Sequence, residues 1–194
     1  MSNEVIICEK PNSISWDAIK ECLYKAHTIN RSRGINMTHY QWPAEKIREY
    51  IGPNGVMLVA LVDGNKLVGT AAIKEAIGSA WYNNGRYAYA CFDGILPEYA
   101  GKGIFKKLDA MREDIARDRG YDLIVFDTNS NNKHRIDIAK KNNYRLVRYF
   151  CANDHYNVNL VKWLNSSPYP DWYCMYRYQR SKLKKLIQKF ISSF

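Results

Sequence analysis

The sequence predicts an α/β domain: a mixed, mostly antiparallel central sheet flanked by helices, with a helical extension at its C-terminal end. Three observations carry this prediction. Val56 to Val62 and Lys66 to Lys74 are β-rich runs joined by Asp63-Gly64-Asn65, a turn signal that pairs them as an antiparallel hairpin. Tyr87 to Ile95 and Tyr121 to Thr128 are strand-like and enclose an amphipathic helix, Gly103 to Arg119, which is the pattern of a strand-helix-strand crossover. Beyond Asp171, apolar residues recur at helical spacing.

The elements follow in order. Glu4 to Glu9 alternates around Val5, Ile6 and Ile7 as a first strand, which the Pro11-Asn12-Ser13 turn ends. Ser15 is placed to cap a helix whose buried face carries Trp16, Ile19, Leu23 and Ala26. Asn30 to Trp42 is polar and aromatic without period, and a short helix then runs from Pro43 to the Gly52-Pro53 stop. In Tyr87 to Ile95, alternation sends Tyr87, Tyr89, Cys91 and Asp93 to one side and Ala88, Ala90, Phe92 and Gly94 to the other, with Gly94 marking a bulge. The crossover helix carries Ile104, Leu108, Met111 and Ile115 on one stripe and ends at Gly120. A short helix over Lys133 to Lys141 and strands over Arg145 to Cys151 and Val158 to Trp163 complete a domain set at residues 1–165, leaving 166–194 as a basic amphipathic helix.

Composition narrows the function. With 194 residues, the chain is long enough to bury ~70% of its unfolded surface, and 46% hydrophobic with 25% charged residues excludes disordered and fibrous classes. No run approaches the ~20 apolar residues of a membrane span, and Met1 to Lys10 lacks the order of a signal peptide, so a cytoplasmic protein is expected. The five cysteines are scattered and never form a CxxC pair, as free thiols in a reducing compartment would be. No histidine stands beside a cysteine at ligand spacing, so no metal is expected. The net charge of +10 is concentrated in the tail: no acidic residue follows Asp171, while Arg177, Arg180, Lys182, Lys184, Lys185 and Lys189 do. Nucleic acid is therefore not an expected partner.

The segment Ile95-Leu96-Pro97-Glu98-Tyr99-Ala100-Gly101-Lys102-Gly103-Ile104 lies between a strand and a helix start. Backbone N–H groups there have no intrahelical partner and carry the positive end of the helix dipole, so a phosphate binds readily where glycines let it approach. On its own the segment is equally an ordinary strand-to-helix turn with two glycines. Walker A and dinucleotide loops are excluded by residue: the first lacks Gly-Lys-Ser/Thr at its spacing, and the second lacks a third glycine where Lys106 stands.

Glu98-Tyr99-Ala100-Gly101-Lys102-Gly103 after Ile95-Leu96-Pro97 resembles the Arg/Gln-x-x-Gly-x-Gly/Ala signature of the GNAT acetyltransferases. A second landmark of that family, Asn-x-x-Ala-Ile-x-Leu-Tyr-x-Lys-x-Gly-Phe, falls on Asn132, Ile136, Ile138, Lys141 and Tyr144. The resemblance covers Val5 to about Trp163. It implies acetyl-CoA as acyl donor, with Ile95 supplying backbone contacts to the pantetheine arm, Ala100, Gly101, Lys102, Gly103 and Ile104 holding the pyrophosphate, and Asn132 bonding the cofactor. Two positions depart from the pattern. Glu98 replaces Arg or Gln and is expected to turn toward solvent, and the tyrosine that often protonates the departing thiolate aligns with Ala139.

Acetyl transfer to an amine needs a proton acceptor, and Asp93, two residues before Ile95, is chosen as general base. Its alternative is a strand-end carboxylate paired with a lysine or a backbone amide. His134, Tyr99 and Tyr144 are the acids near enough in sequence, with Tyr144 aligning to a core aromatic. Cys91 lacks a paired histidine and reads as a buried apolar residue, which favours direct transfer. Tyr40, Trp42, Trp81, Tyr82, His155 and Tyr156 are candidates to line a pocket for a small amine, an amino sugar among them. Two further readings stand beside this one: a GNAT-like fold that binds CoA or another acyl carrier without turnover, and a basic module whose tail lies on a membrane surface. The tail stripe of Leu183, Leu186, Ile187, Phe190, Ile191 and Phe194 is expected to pack on its own domain or on a second copy of the chain rather than on a membrane.

Overall fold

The computed structural model describes residues 4–35, 41–152 and 155–191. The strands are β1 (Val5–Glu9), β2 (Val56–Val62), β3 (Lys66–Ala80), β4 (Asn83–Ile95), β5 (Leu123–Asn129), β6 (Arg145–Ala152) and β7 (His155–Trp163). They form one sheet in the order β1-β2-β3-β4-β5-β7-β6, antiparallel throughout except for the β4–β5 pair. The helices are α1 (Trp16–Ala26), α2 (Thr28–Ser32), α3 (Ala44–Ile51), α4 (Ile104–Asp118), α5 (Lys133–Lys141) and α6 (Asp171–Ile191).

Strand β2 is apolar at every position because both of its faces are covered. Val56, Leu58, Ala60 and Val62 pack in one core with Ile104, Leu108 and Ala116 of α4, while Met57, Val59 and Leu61 meet Ile19, Leu23 and Ile47 of α1 and α3. Ile19 is fully buried, so its truncation to alanine costs about 3 kcal/mol. Ser15 caps α1 by accepting from the Ala18 N–H at 3.1 Å, as its position in the sequence predicts. Gly94 of β4 lets α1 sit close, since a Cβ there would lie 3.0 Å from the Ala26 methyl.

The elements differ from the sequence reading where long-range pairing overrides local preference. The β3–β4 hairpin extends past Lys74 and begins before Tyr87, through Ala76, Gly78, Asn83, Asn84 and Gly85, which carry little strand propensity of their own. A bidentate pair of Arg86 with Glu75, at 2.7 and 2.8 Å, ties the extension across the strands. Part of the stretch read as irregular forms α2, and β7 starts at His155 rather than Val158.

Helix α6 covers β6, the edge strand of the sheet. The Tyr149 N–H donates to Ser181 Oγ at 2.8 Å, Tyr178 meets the Tyr149 ring, and Arg145 pairs with Asp171 at 2.6 Å. Among the described residues, the expected packing of the tail stripe on the domain is not found; Phe194 lies outside them. Leu183, Leu186 and Ile187 remain 50–59% exposed, because Cys174, Tyr178 and Ser181 occupy the face turned to β6.

Candidate active site

Strands β4 and β5 run 13 and 7 residues but pair only at Ala88 with Ile124 and Tyr89 with Val125. Beyond these pairs the two strands diverge. The cause lies in β4: register with β3 shifts between Thr70 and Ala72, leaving Phe92 and Asp93 opposite Ala71 alone. Such a bulge bends its strand away from a straight ladder. Phe92 takes φ +54°, and Thr70 Oγ1 holds the bulge by donating to the Phe92 carbonyl at 2.9 Å.

The bulge also resets alternation, which corrects the sequence reading of this strand. Phe92 joins Cys91 on the face covered by α1 and α3 instead of following Ala88 and Ala90. Asp93 turns to the α4 face, where Arg112 Nη1 lies 2.5 Å from its Oδ1 and Arg135 Nη2 lies 2.7 Å from its Oδ2. Arg112 is fully buried and also binds Asp109 at 2.5 Å. Burial raises the Asp93 pKa, but the charges and hydrogen bonds of Arg112 and Arg135 outweigh it and hold the carboxyl below its ordinary value. A carboxylate so engaged is a poor proton acceptor. Its two ion pairs tie α4 and α5 to the bulge.

The divergence opens a cleft of about 770 Å3. Its mouth is the loop after β4, where a 3-10 turn at Pro97–Tyr99 leads through Ala100 to α4. Gly101 and Gly103 hold φ +76° and +74°, a region that disfavours other residues, and no atom lies within 4 Å of a Cβ built on either. The N–H groups of Gly103, Ile104, Phe105 and Lys106, the cap and first turn of α4, have no intrahelical acceptor. Lys106, Arg135 and Lys141 line the same cleft, so it carries positive charge as well as donors.

The sequence-predicted residues divide accordingly. Ile95, Ala100, Gly101, Gly103, Ile104 and Asn132 all line the cleft. Lys102 does not: its ammonium lies over the Tyr99 ring at 4.9 Å. Glu98 is exposed and outside the cleft. Asn132 caps α5, its Oδ1 accepting from the Arg135 N–H at 3.4 Å and its Nδ2 donating to Thr128 Oγ1 at 3.3 Å. Ala139 is fully buried, and Tyr144 is a core ring packed on Phe126. Of the aromatic residues expected at an acceptor pocket, Trp42 lines the cleft. Trp81 and Tyr82 sit at the hairpin tip, where Trp81 meets Tyr169 and Tyr173, and Tyr156 stacks on Tyr149. Tyr40 lies outside the described residues.

Besides Asp93, the cleft is lined by Trp42 and by three side chains given no role in the sequence reading, Tyr50, Phe92 and Asp127. Trp42, Tyr50 and Phe92 form a set of edge-to-face rings with centroids 5.2 to 6.1 Å apart. Beside them, on β5, Asp127 accepts a short hydrogen bond from the Tyr89 hydroxyl. Burial pushes the Asp127 carboxyl above its ordinary value, against the hydrogen bond from Tyr89. The signal for it was a lone carboxylate at the end of the apolar run Leu123 to Phe126. Burial also pushes the Cys91 thiol far above its usual range, which leaves it protonated. His27 is no freer: its Nε2 donates to the Asp93 carbonyl at 2.7 Å, Asn30 faces its Nδ1 at 3.1 Å, and burial lowers its pKa.

Comparison with known proteins places this geometry. The model of the acetyltransferase (GNAT) family matches residues 16–144. No curated protein sequence matches. Solved structures share the fold: yncA of Salmonella typhimurium, determined with its cofactor acetyl-CoA, has a TM-score of 0.63 at 16% identity, over 87% of this chain and 98% of that one. A GNAT-family acetyltransferase of Staphylococcus aureus Mu50 has a TM-score of 0.66 at 16% identity, over 84% and 100%. An aminoglycoside 6'-N-acetyltransferase complexed with coenzyme A has a TM-score of 0.59 at 15% identity, over 86% and 99%.

Proposed function

Because the chain belongs to the GNAT acetyltransferase family, we propose that it moves an acetyl group from acetyl-CoA directly to the amine of a small molecule. One observation carries this reading: the N–H groups of Gly103 to Lys106, which have no intrahelical acceptor, stand beside the positive-φ glycines Gly101 and Gly103 in a cleft that the Asp127 carboxylate also lines. The residues present fit CoA. The loop donors suit its pyrophosphate, Lys106 and Lys141 add charge, and Arg135 Nη1 is a buried donor with no partner. Acetyl-CoA bound there supplies an activated thioester.

Asp127 is the proton acceptor in this reading, in place of Asp93. It lines the cleft, Tyr89 fixes its orientation, and its raised pKa makes its ionised form a better base than an ordinary carboxylate. The amine nitrogen forms the new bond to the acetyl carbon, its proton passes to Asp127, and the carbon–sulfur bond breaks. A thiolate is a weaker base than an amine anion and leaves without a dedicated acid, so in this reading Ala139 does not block turnover. Trp42, Tyr50 and Phe92 offer ring faces that suit an amino sugar or a similar half-polar acceptor. The protonated Cys91 thiol supports transfer without an acyl-enzyme. Five free thiols support a cytoplasmic setting.

Thiol release from acetyl-CoA across a panel of small amines, with CoA affinity measured by calorimetry, tests this. Release with at least one amine is expected. CoA binding with no release from any amine would favour the second reading, a CoA-binding protein without turnover, which Ala139 motivates.

A further inference from the structure

We propose that the outward face of α6 docks on an anionic lipid bilayer, with the helix lying in the plane of the membrane surface. A helix packed on its own domain turns its apolar stripe inward and its polar side to water. Here the order is inverted. Cys174, Tyr178 and Ser181 face β6, and at 3.6 residues per turn Trp172, Tyr176, Leu183 and Ile187 fall on the opposite side. Trp172 is 70% exposed, Leu183 59% and Ile187 50%. Of the large apolar side chains exposed among the described residues, most lie on this helix.

Charge selects the occupant. Lys182 and Lys184 lie along the two margins of the stripe, and no acidic residue occurs from Trp172 to Ile191. A second copy of the chain would bring the same positive margins against these. An anionic bilayer supplies negative headgroups and an apolar layer a few ångströms beneath them, which is the pairing that a lysine-flanked apolar stripe fits. Trp172 and Tyr176 add rings of the kind that settle at the interface. No helix among the described residues is long and apolar enough to cross a membrane, so contact is in the plane.

Flotation of the full chain with vesicles tests this independently of the catalytic reading. The wild-type chain is expected to float with mixed phosphatidylglycerol and phosphatidylcholine vesicles at low salt, to stay behind with phosphatidylcholine alone, and to be released by high salt. Lys182→Gln with Lys184→Gln should weaken partition roughly thirtyfold, at about 1 kcal/mol per lysine. Leu183→Asp with Ile187→Asp should abolish it. Both double variants should keep the helical circular dichroism and the CoA affinity of wild type, which shows that they fold. No flotation of the wild-type chain with anionic vesicles, or undiminished flotation of Leu183→Asp/Ile187→Asp, overturns the proposal. So does a dimer in light scattering that Ile187→Asp disperses. Failure of CoA binding in the wild-type chain would count against the acetyltransferase reading and leave the flotation result standing.

Discussion

Asp93 and Arg112 form a buried ion pair, Oδ1 to Nη1 at 2.5 Å, that joins the β4 bulge to the crossover helix. The arginine side chain is fully buried and Asp93 is 18% exposed toward the cleft, so the pair stands largely out of water at the point where the sheet opens. Removing one partner of such a pair leaves an uncompensated charge, whereas removing an exposed partner has little effect.

Asp93→Asn should therefore act first on stability, lowering it by about 3 kcal/mol in urea unfolding. The pH dependence has a definite sign. The folded pKa is depressed, so the stability contributed by Asp93 is present above the ordinary carboxylate range and is lost as pH falls through the lowered value. Acid unfolding of the variant should lack that contribution. Wild-type stability with a large fall in turnover would return the role of base to Asp93.

Asp127→Asn is expected to lower kcat by roughly 100-fold to 10,000-fold while CoA affinity stays within the error of calorimetry. The raised pKa of Asp127 sets the acid limb of wild-type kcat/KM: activity appears as pH rises through a value above that of an ordinary carboxylate. Tyr89→Phe removes the hydrogen bond that lowers that pKa, so its limb should move to still higher pH. An acid limb unchanged in Tyr89→Phe would separate Asp127 from the chemistry.

Gly103→Glu places a carboxylate among the free loop donors. The side chain has room, since nothing lies within 4 Å of a Cβ there, but φ +74° makes the conformation cost about 1 kcal/mol. The folded variant should lose CoA binding by two orders of magnitude or more, at about 3 kcal/mol. Gly103→Ala separates the backbone cost from the charge and should bind far better than the glutamate. Equal affinity of Gly103→Glu and wild type would remove the loop from the cofactor site.

Ala139→Tyr restores the residue that the family pattern carries, yet the site is fully buried on the core face of α5. Overpacking should destabilise the fold by about 1–3 kcal/mol without raising kcat. A gain in kcat at unchanged stability would show that the missing acid limits the reaction.

Cys91→Ala should keep kcat within about twofold, well under 1 kcal/mol in the barrier, because a thiol held protonated is no nucleophile. Loss of acetyl transfer in this variant, together with a trapped acyl-enzyme in mass spectrometry of the wild-type chain, would replace direct transfer by a covalent route.

Much of this protein is decided within short stretches of chain. The hairpin signal of Asp63-Gly64-Asn65, the doubly apolar run of β2, the Ser15 cap and the two loop glycines each act through their own backbone or immediate neighbours, and the sequence alone determined them. It also determined the family, because the phosphate loop and the Asn132 to Tyr144 landmark are contiguous patterns. The catalytic end of the cleft was decided elsewhere. Alternation along β4 placed Asp93 beside Tyr89, but an extra residue opposite Ala71 turned it onto the α4 face and into two arginines. Such a bulge follows from pairing with β3, which no local pattern encodes. Asp127 and Tyr89 meet from strands 38 positions apart in the chain, and α6 turns its apolar stripe outward because β6 takes the other side. Local preference settles which elements form. Which side chains meet across them depends on register and packing, and these exist only once the sheet has closed.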